Sequence, residues 1–154
     1  NVYNLFSQIA NKKFVMVGNG KNIKSMAYVE NVASFIQHSL NFPFGKHIYT
    51  YIDKPDMDMN SLVKITRKIL FKKNNVGLRL PSFLGVCVGY FFDFLAYILK
   101  RNLPISSIRI QKFLNDSQFN SAIDKSGFVP PVGLRKALES TIIYEFSHQE
   151  EKND

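Results

Sequence analysis

The sequence predicts an α/β chain, mostly helical around a few short strands, and three observations carry that expectation. Segment 14–35 runs from an apolar, partly β-branched stretch through a Gly18-Asn19-Gly20 turn into a second strand-like stretch and a helix start. Residues 47–52 alternate as a strand does. Apolar residues recur at helical spacing at Val2, Leu5, Phe6 and Ile9, and again at Leu62, Ile65, Ile69 and Leu70. With 154 residues, 45% of them hydrophobic and 14% aromatic, the chain has material for a single folded core.

In chain order, the first helix carries Asn1 and Asn4 near its N-terminal end, where backbone N–H groups favour anions. Strands follow at 14–17 and 25–29, with Lys24 at the mouth of the second. Asn31 is placed to cap a helix that turns Val32, Phe35, Ile36 and Leu40 to one face. After the strand at 47–52, Pro55 marks 53–58 as a loop, and Asp58 caps the helix bearing Leu62 and Ile65. The run 83–99, ended by Lys100-Arg101, is the most apolar stretch. Its length is marginal for a membrane span and Asp93 falls inside it, so a buried or partner-facing helix is expected, with membrane-surface contact left as the lesser alternative. The polar tail 148–154 is set apart from a body of 1–147.

Composition excludes several classes. The single Cys87 forbids an internal disulfide; inside an apolar run it reads as a buried, inert thiol, and a cytoplasmic location is the default. His38, His47 and His148 lack metal-ligand spacing, so no metal is expected. Asp56-Met57-Asp58 has no further carboxylates beside it for a divalent ion, and Ser61-Leu62-Val63-Lys64 lacks the companion motifs of a penicillin-binding protein. The net charge of +8 is scattered over Lys12-Lys13, Lys72-Lys73 and Lys100-Arg101 rather than fused into a nucleic-acid arm, and nucleic acid is not expected as a partner. Such a charge raises the local concentration of anions.

Two stretches carry a family resemblance. Gly18, Gly20, Lys24, Tyr28, Val29, Glu30 and Asn31 occupy the places of a G-x-G turn, a basic residue, a strand ending in Tyr-Val and a helix-opening pair. Near the other end, Gly127, Phe128, Pro130, Leu134, Ala137 and Leu138 match a closing pattern of a short strand, a helix, Gly-Phe-x-Pro and a Leu-led helix within 109–138. In that order they resemble the substrate-binding portion of the NAD-dependent epimerase/dehydratases, the extended short-chain dehydrogenases that act on nucleotide sugars. Lys24 stands where that family more often has Arg, which exchanges a two-pronged phosphate contact for a point charge.

The resemblance implies a division of labour. The family's Gly-rich phosphate loop opening a helix and its Tyr-x-x-x-Lys pair are both missing: none of the seven Tyr has Lys four positions later. The chain is therefore expected to be the mostly helical, C-terminal substrate lobe of an extended Rossmann-type enzyme, inactive alone. The absent N-terminal half would bind NAD(P) and supply the catalytic Tyr, leaving this portion without catalytic or cofactor-binding residues. By resemblance, Asn1, Lys24 and Arg109 would grip the diphosphate of a nucleotide sugar, in chemistry of the 4-epimerase type. Exposed apolar surface left by the missing half would favour homo-oligomers. The rival reading is a non-catalytic basic module that binds nucleic acid or an anionic membrane.

Overall fold

The computed structural model describes residues 2–101, 103 and 105–146. Among the described residues six α-helices, one short 3-10 helix and four short strands follow one another: α1 (Val2–Ala10), β1 (Met16–Val17), β2 (Ile23–Met26), α2 (Val29–Ser39), β3 (Asp53–Asp58), α3 (Met59–Phe71), β4 (Arg79–Leu80), α4 (Ser82–Leu99), α5 (Ser107–Leu114), the 3-10 helix (Ile123–Ser126) and α6 (Leu134–Phe146). The α/β expectation holds. Asn1, the tail 148–154 with His148, and Pro104 lie outside the described residues.

The core forms where three helices turn their apolar stripes together. Helix α1 contributes Phe6 and Ile9, α3 contributes Met59, Leu62 and Val63, and α6 contributes Leu134, Leu138, Ile142 and Phe146; Phe14 and Met16 close the cluster from β1 and the chain leading into it. Thr66, also fully buried, satisfies its hydroxyl by donating to Leu62 O at 2.8 Å within its own helix. Asp58 caps α3 as expected, its side chain accepting from Ser61 N at 2.6 Å.

Two small sheets lie beside this core. β1 and β4 pair in parallel, Met16 opposite Arg79 and Val17 opposite Leu80. β2 and β3 pair antiparallel, Ile23 opposite Asp58 and Lys24 opposite Met57, with an irregularity before Met26 meets Asp53. Ser117 adds a parallel bridge to Lys24, exchanging bonds with Ser25 N at 2.9 Å and Ile23 O at 2.8 Å.

Several local expectations are corrected. The strand falls at 53–58 rather than 47–52: pairing with β2 outweighs the turn signal of Pro55, which sits exposed on a strand edge. The alternation at 47–52 has another cause, since Tyr49 and Tyr51 both reach Phe35, with ring centroids 5.6 and 5.4 Å apart. Asn31 does not cap α2; it is fully buried one turn inside it. Ile36 and Leu40 are 60% and 81% exposed, so the buried stripe of α2 is narrower than its periodicity implies. Arg109 lies in a helix, and the strand-like contact comes after that helix, at Ser117.

The largest correction concerns α4. Its buried residues are Gly85 and Gly89, while Phe83, Tyr90, Phe91, Phe94, Tyr97 and Ile98 are exposed, and Cys87 is exposed as well. The helix is neither buried nor does it shield the thiol. It lies against α5 on its small residues: a Cβ on Gly89 would come within 2.7 Å of Ser107 Cα, and one on Gly85 would overlap Val17. Asp93 points the same way and accepts from Ser107 N at 3.2 Å.

Candidate functional site

The Gly18–Gly20 turn leaves the carboxyl end of β1, beside β4, and is held from two sides. Both glycines have positive φ, 77° and 66°, and a Cβ on Gly20 would lie 2.5 Å from Asn60 Oδ1. Asn19 O accepts from Asn60 Nδ2 and from Arg79 Nη1, each at 2.9 Å, and Arg79 Nη2 donates to Asn60 Oδ1 at 2.7 Å. Asn19 Oδ1 accepts from Lys21 N at 3.0 Å. Asn60 and Arg79 had no signal in the sequence, because they act on the turn from 41 and 60 residues away.

Lys24 and Arg109 converge on one helix. The Lys24 ammonium donates to Asn115 O at 2.6 Å, Lys112 O at 3.2 Å and Ser117 Oγ at 3.3 Å, so it caps the C-terminal end of α5, where the helix dipole favours a cation. Burial lowers its pKa, against the opposing pull of Asp116. Arg109 is exposed in the first turn of the same helix, its backbone N donating to Ser106 Oγ at 3.3 Å. Three residues of helix, about 4.5 Å along the axis, separate it from Lys112. The geometry thus commits the Lys24 charge to α5, and Arg109 stands on an exposed part of the same helix.

Two open concavities are present, the first beside this region. One, of about 430 Å³, is lined by Lys21, Ile23, Asp56, Met57, Asp58 and Ser61, among others. Asp56 accepts from Lys54 Nζ at 2.6 Å, Ser25 Oγ at 2.8 Å and Gln118 Nε2 at 3.0 Å. Burial pushes its carboxyl up, but the three donors and the Lys54 charge outweigh that and hold it below the ordinary carboxylate value. The other concavity, of about 490 Å³, is aromatic, with Phe35, Phe42, Phe44, His47 and Tyr49 in its wall. Among the described residues no group of three or more His, Cys, Asp or Glu could hold a metal ion.

The Gly-rich turn does lead to a basic residue on the next strand, but that strand ends at Met26 rather than in Tyr-Val: Tyr28 and Val29, expected to close it, instead open α2. The chain is 46% identical over 150 residues to the N-acetyl-alpha-D-glucosaminyl-diphospho-ditrans,octacis-undecaprenol 4-epimerase of Escherichia coli O157:H7, a match covering 96% of this chain. The chain is similar to a sugar 4-epimerase. It is also 22% identical over 151 residues to an uncharacterized protein, y4nL, of Sinorhizobium fredii (strain NBRC 101917 / NGR234), over 89% of its length. It spans 45% of the 4-epimerase and 40% of y4nL, less than half of each. No protein-family model matches the chain, and no solved structure does.

Proposed function

We propose that the chain is the substrate-side portion of an NAD(P)-dependent 4-epimerase acting on a sugar linked through a diphosphate. The observation that carries this reading is the 46% identity, over nearly the whole chain, to a 4-epimerase whose named substrate is a sugar on a diphospho-polyprenol. That name moves the expected carrier of the diphosphate from a nucleoside to a lipid. Sugar and diphosphate are common to both, and a basic surface suits either.

Inversion at C4 requires the C4–H bond to be broken and remade on the opposite face of the ring. NAD(P) is the hydride carrier in this reading, and the residues here do not form its cradle: the Gly18–Gly20 turn leads into β2 rather than opening a helix at a pyrophosphate. The task of this portion is therefore to hold the diphosphate so that the sugar ring lies in one orientation. Arg109, exposed on α5 and able to meet two phosphate oxygens at once, is the residue for that contact. Lys24 acts beside it by fixing the C-terminal end of the same helix.

The test supplies the full-length protein with N-acetylglucosamine on a diphospho-polyprenol and, separately, on a nucleoside diphosphate, and follows formation of the 4-epimer, N-acetylgalactosamine. Conversion of the lipid-linked sugar, with Arg109→Ala raising KM more than it lowers kcat, is the expected result. Conversion of neither compound overturns the proposal.

A further inference from the structure

Helix α4 is inverted with respect to an ordinary surface helix. Its inward face is Gly85, Gly89 and half-buried Asp93, spaced four residues apart, while its aromatic side chains, half-buried Phe92 excepted, face outward. Phe91 and Phe94 are 61% and 62% exposed, Tyr90 is 58% exposed and Tyr97 82%. A soluble surface helix turns such residues to the core and its carboxylate to water; here the lone carboxylate of the helix is turned inward and paired with a backbone N–H. We infer that α4 docks the protein on an anionic lipid bilayer, lying in the interface with this aromatic stripe inserted.

Four features select a bilayer as the occupant. The outward stripe carries no acidic residue, and the helix ends directly on exposed Lys100 and Arg101, in a chain of net charge +8. That polarity fits a negative lipid surface, with the two cations at headgroup depth beside the apolar stripe. Tyr90 and Tyr97 add rings with a polar tip, which favour the boundary between headgroups and acyl chains. By length and composition α4 would suffice to cross a membrane, but its Gly85 and Gly89 face is occupied by Val17 and Ser107, so crossing would draw α5 with Arg109 and Lys112 into hydrocarbon. Lying flat keeps that face on the protein and wets only the outer stripe with lipid. The inference rests on the reading of a lipid-borne substrate only for its purpose: a 55-carbon polyprenol stays in the bilayer, and an enzyme moored there meets the diphosphate at the headgroup plane.

The experiment floats the full-length protein with vesicles of phosphatidylglycerol and phosphatidylethanolamine, and with pure phosphatidylcholine, without any sugar substrate. The expected result is flotation with the anionic vesicles. Phe91→Ser, Phe94→Ser and Tyr97→Ser together should cut partitioning by about tenfold or more, and Lys100→Glu with Arg101→Glu should remove about fivefold per basic residue. Cys87 gives a readout that needs no variant: its labelling by a water-soluble maleimide should be fast in solution and slowed by the anionic vesicles. Wild-type protein that stays at the bottom of the gradient overturns the inference. So does a Cys87 already protected without lipid, which would mean that protein covers α4, whether another part of the same polypeptide or a second copy. Activity separates the two readings: a full-length enzyme that epimerises a water-soluble diphospho-sugar yet does not float loses only the docking inference, and one that floats but epimerises no diphospho-sugar loses only the proposed reaction.

Discussion

The Asn31 carboxamide donates to Asp53 Oδ1 at 2.8 Å, fastening α2 to β3 at a point closed to solvent. The same amide nitrogen donates to Val132 O at 2.7 Å, and Asn31 Oδ1 accepts from Val132 N at 3.1 Å, so one side chain grips the backbone that leads into α6. Asp53 in turn accepts from Tyr28 N at 2.6 Å and from Tyr51 Oη at 2.9 Å. Burial, then the bond to this carboxylate and its charge, push the Tyr51 hydroxyl far above its ordinary value. Tyr51 also belongs to the ring cluster around Phe35, so the network links the antiparallel sheet to the aromatic basin.

Replacing Asn31 by Ala strips the Val132 N–H and C=O of their partner and takes one donor from a buried carboxylate. The expected loss is about 3 kcal/mol, since each buried polar group left unpaired costs about 1–3 kcal/mol. Urea denaturation measures it. A loss below about 1 kcal/mol would show that water replaces the amide at no great cost. A double-mutant cycle with Asp53→Ala should show coupling, because the two side chains share a bond.

Lys24→Met keeps the apolar stem and removes the ammonium, leaving the carbonyls of Lys112 and Asn115 without their cap. About 1 kcal/mol of stability should go with it, and α5 should fray at its C-terminal end. Faster amide exchange at 112–115 is the local sign to look for. If instead the urea midpoint is unchanged and KM rises in the proposed epimerisation, Lys24 serves the ligand directly and its role as a cap fails.

Gly89→Ala sets two effects against each other. Alanine favours a helix over glycine by about 1 kcal/mol. Its Cβ, however, would stand 2.7 Å from Ser107 Cα and 2.9 Å from Ser107 N, and backbone atoms cannot swing aside as a side-chain end can. α4 would have to lift from α5, so a net loss of about 1–3 kcal/mol is expected. A stabilised variant would mean that the two helices are less closely seated than described.

The sequence revealed elements whose signals are local and hid features that depend on distant partners. Asp58 at the head of α3 was legible because a cap needs only its own first turn. The strand at 53–58 was not, since its reason for being extended lies 27 to 35 residues away in β2, and Pro55 argued locally for a turn. Asn31 read as a cap because Asn is good at capping, and nothing nearby announced Asp53 or Val132. Helix α4 was legible in extent and misread in facing: an apolar run shows no periodicity by which to tell a buried side from an exposed one, and Gly85, Gly89 and Asp93 alone marked the side that meets β1 and α5. At the candidate site the two glycines came from a local turn pattern, and Lys24 and Arg109 from the family resemblance. The Asn60–Arg79 clamp required the fold.

Asp56 should make stability fall in acid. Its carboxyl is held below the ordinary value of 3.8, because the bonds from Lys54, Gln118 and Ser25 outweigh the burial that would raise it. The sign follows from proton counting: between the folded value and 3.8 the unfolded chain binds more protons, so the contribution is fully present above 3.8 and is lost as pH falls through the lower, folded value. Asp56→Asn removes the titration while keeping the shape. At neutral pH the variant should be the less stable, by about 1 kcal/mol or less because the Lys54 partner is exposed and screened. Below 3.8 the gap between the two urea midpoints should close. A gap that widens under acid would mean that burial, not the three donors, governs this carboxyl, and that its pKa lies above the ordinary one.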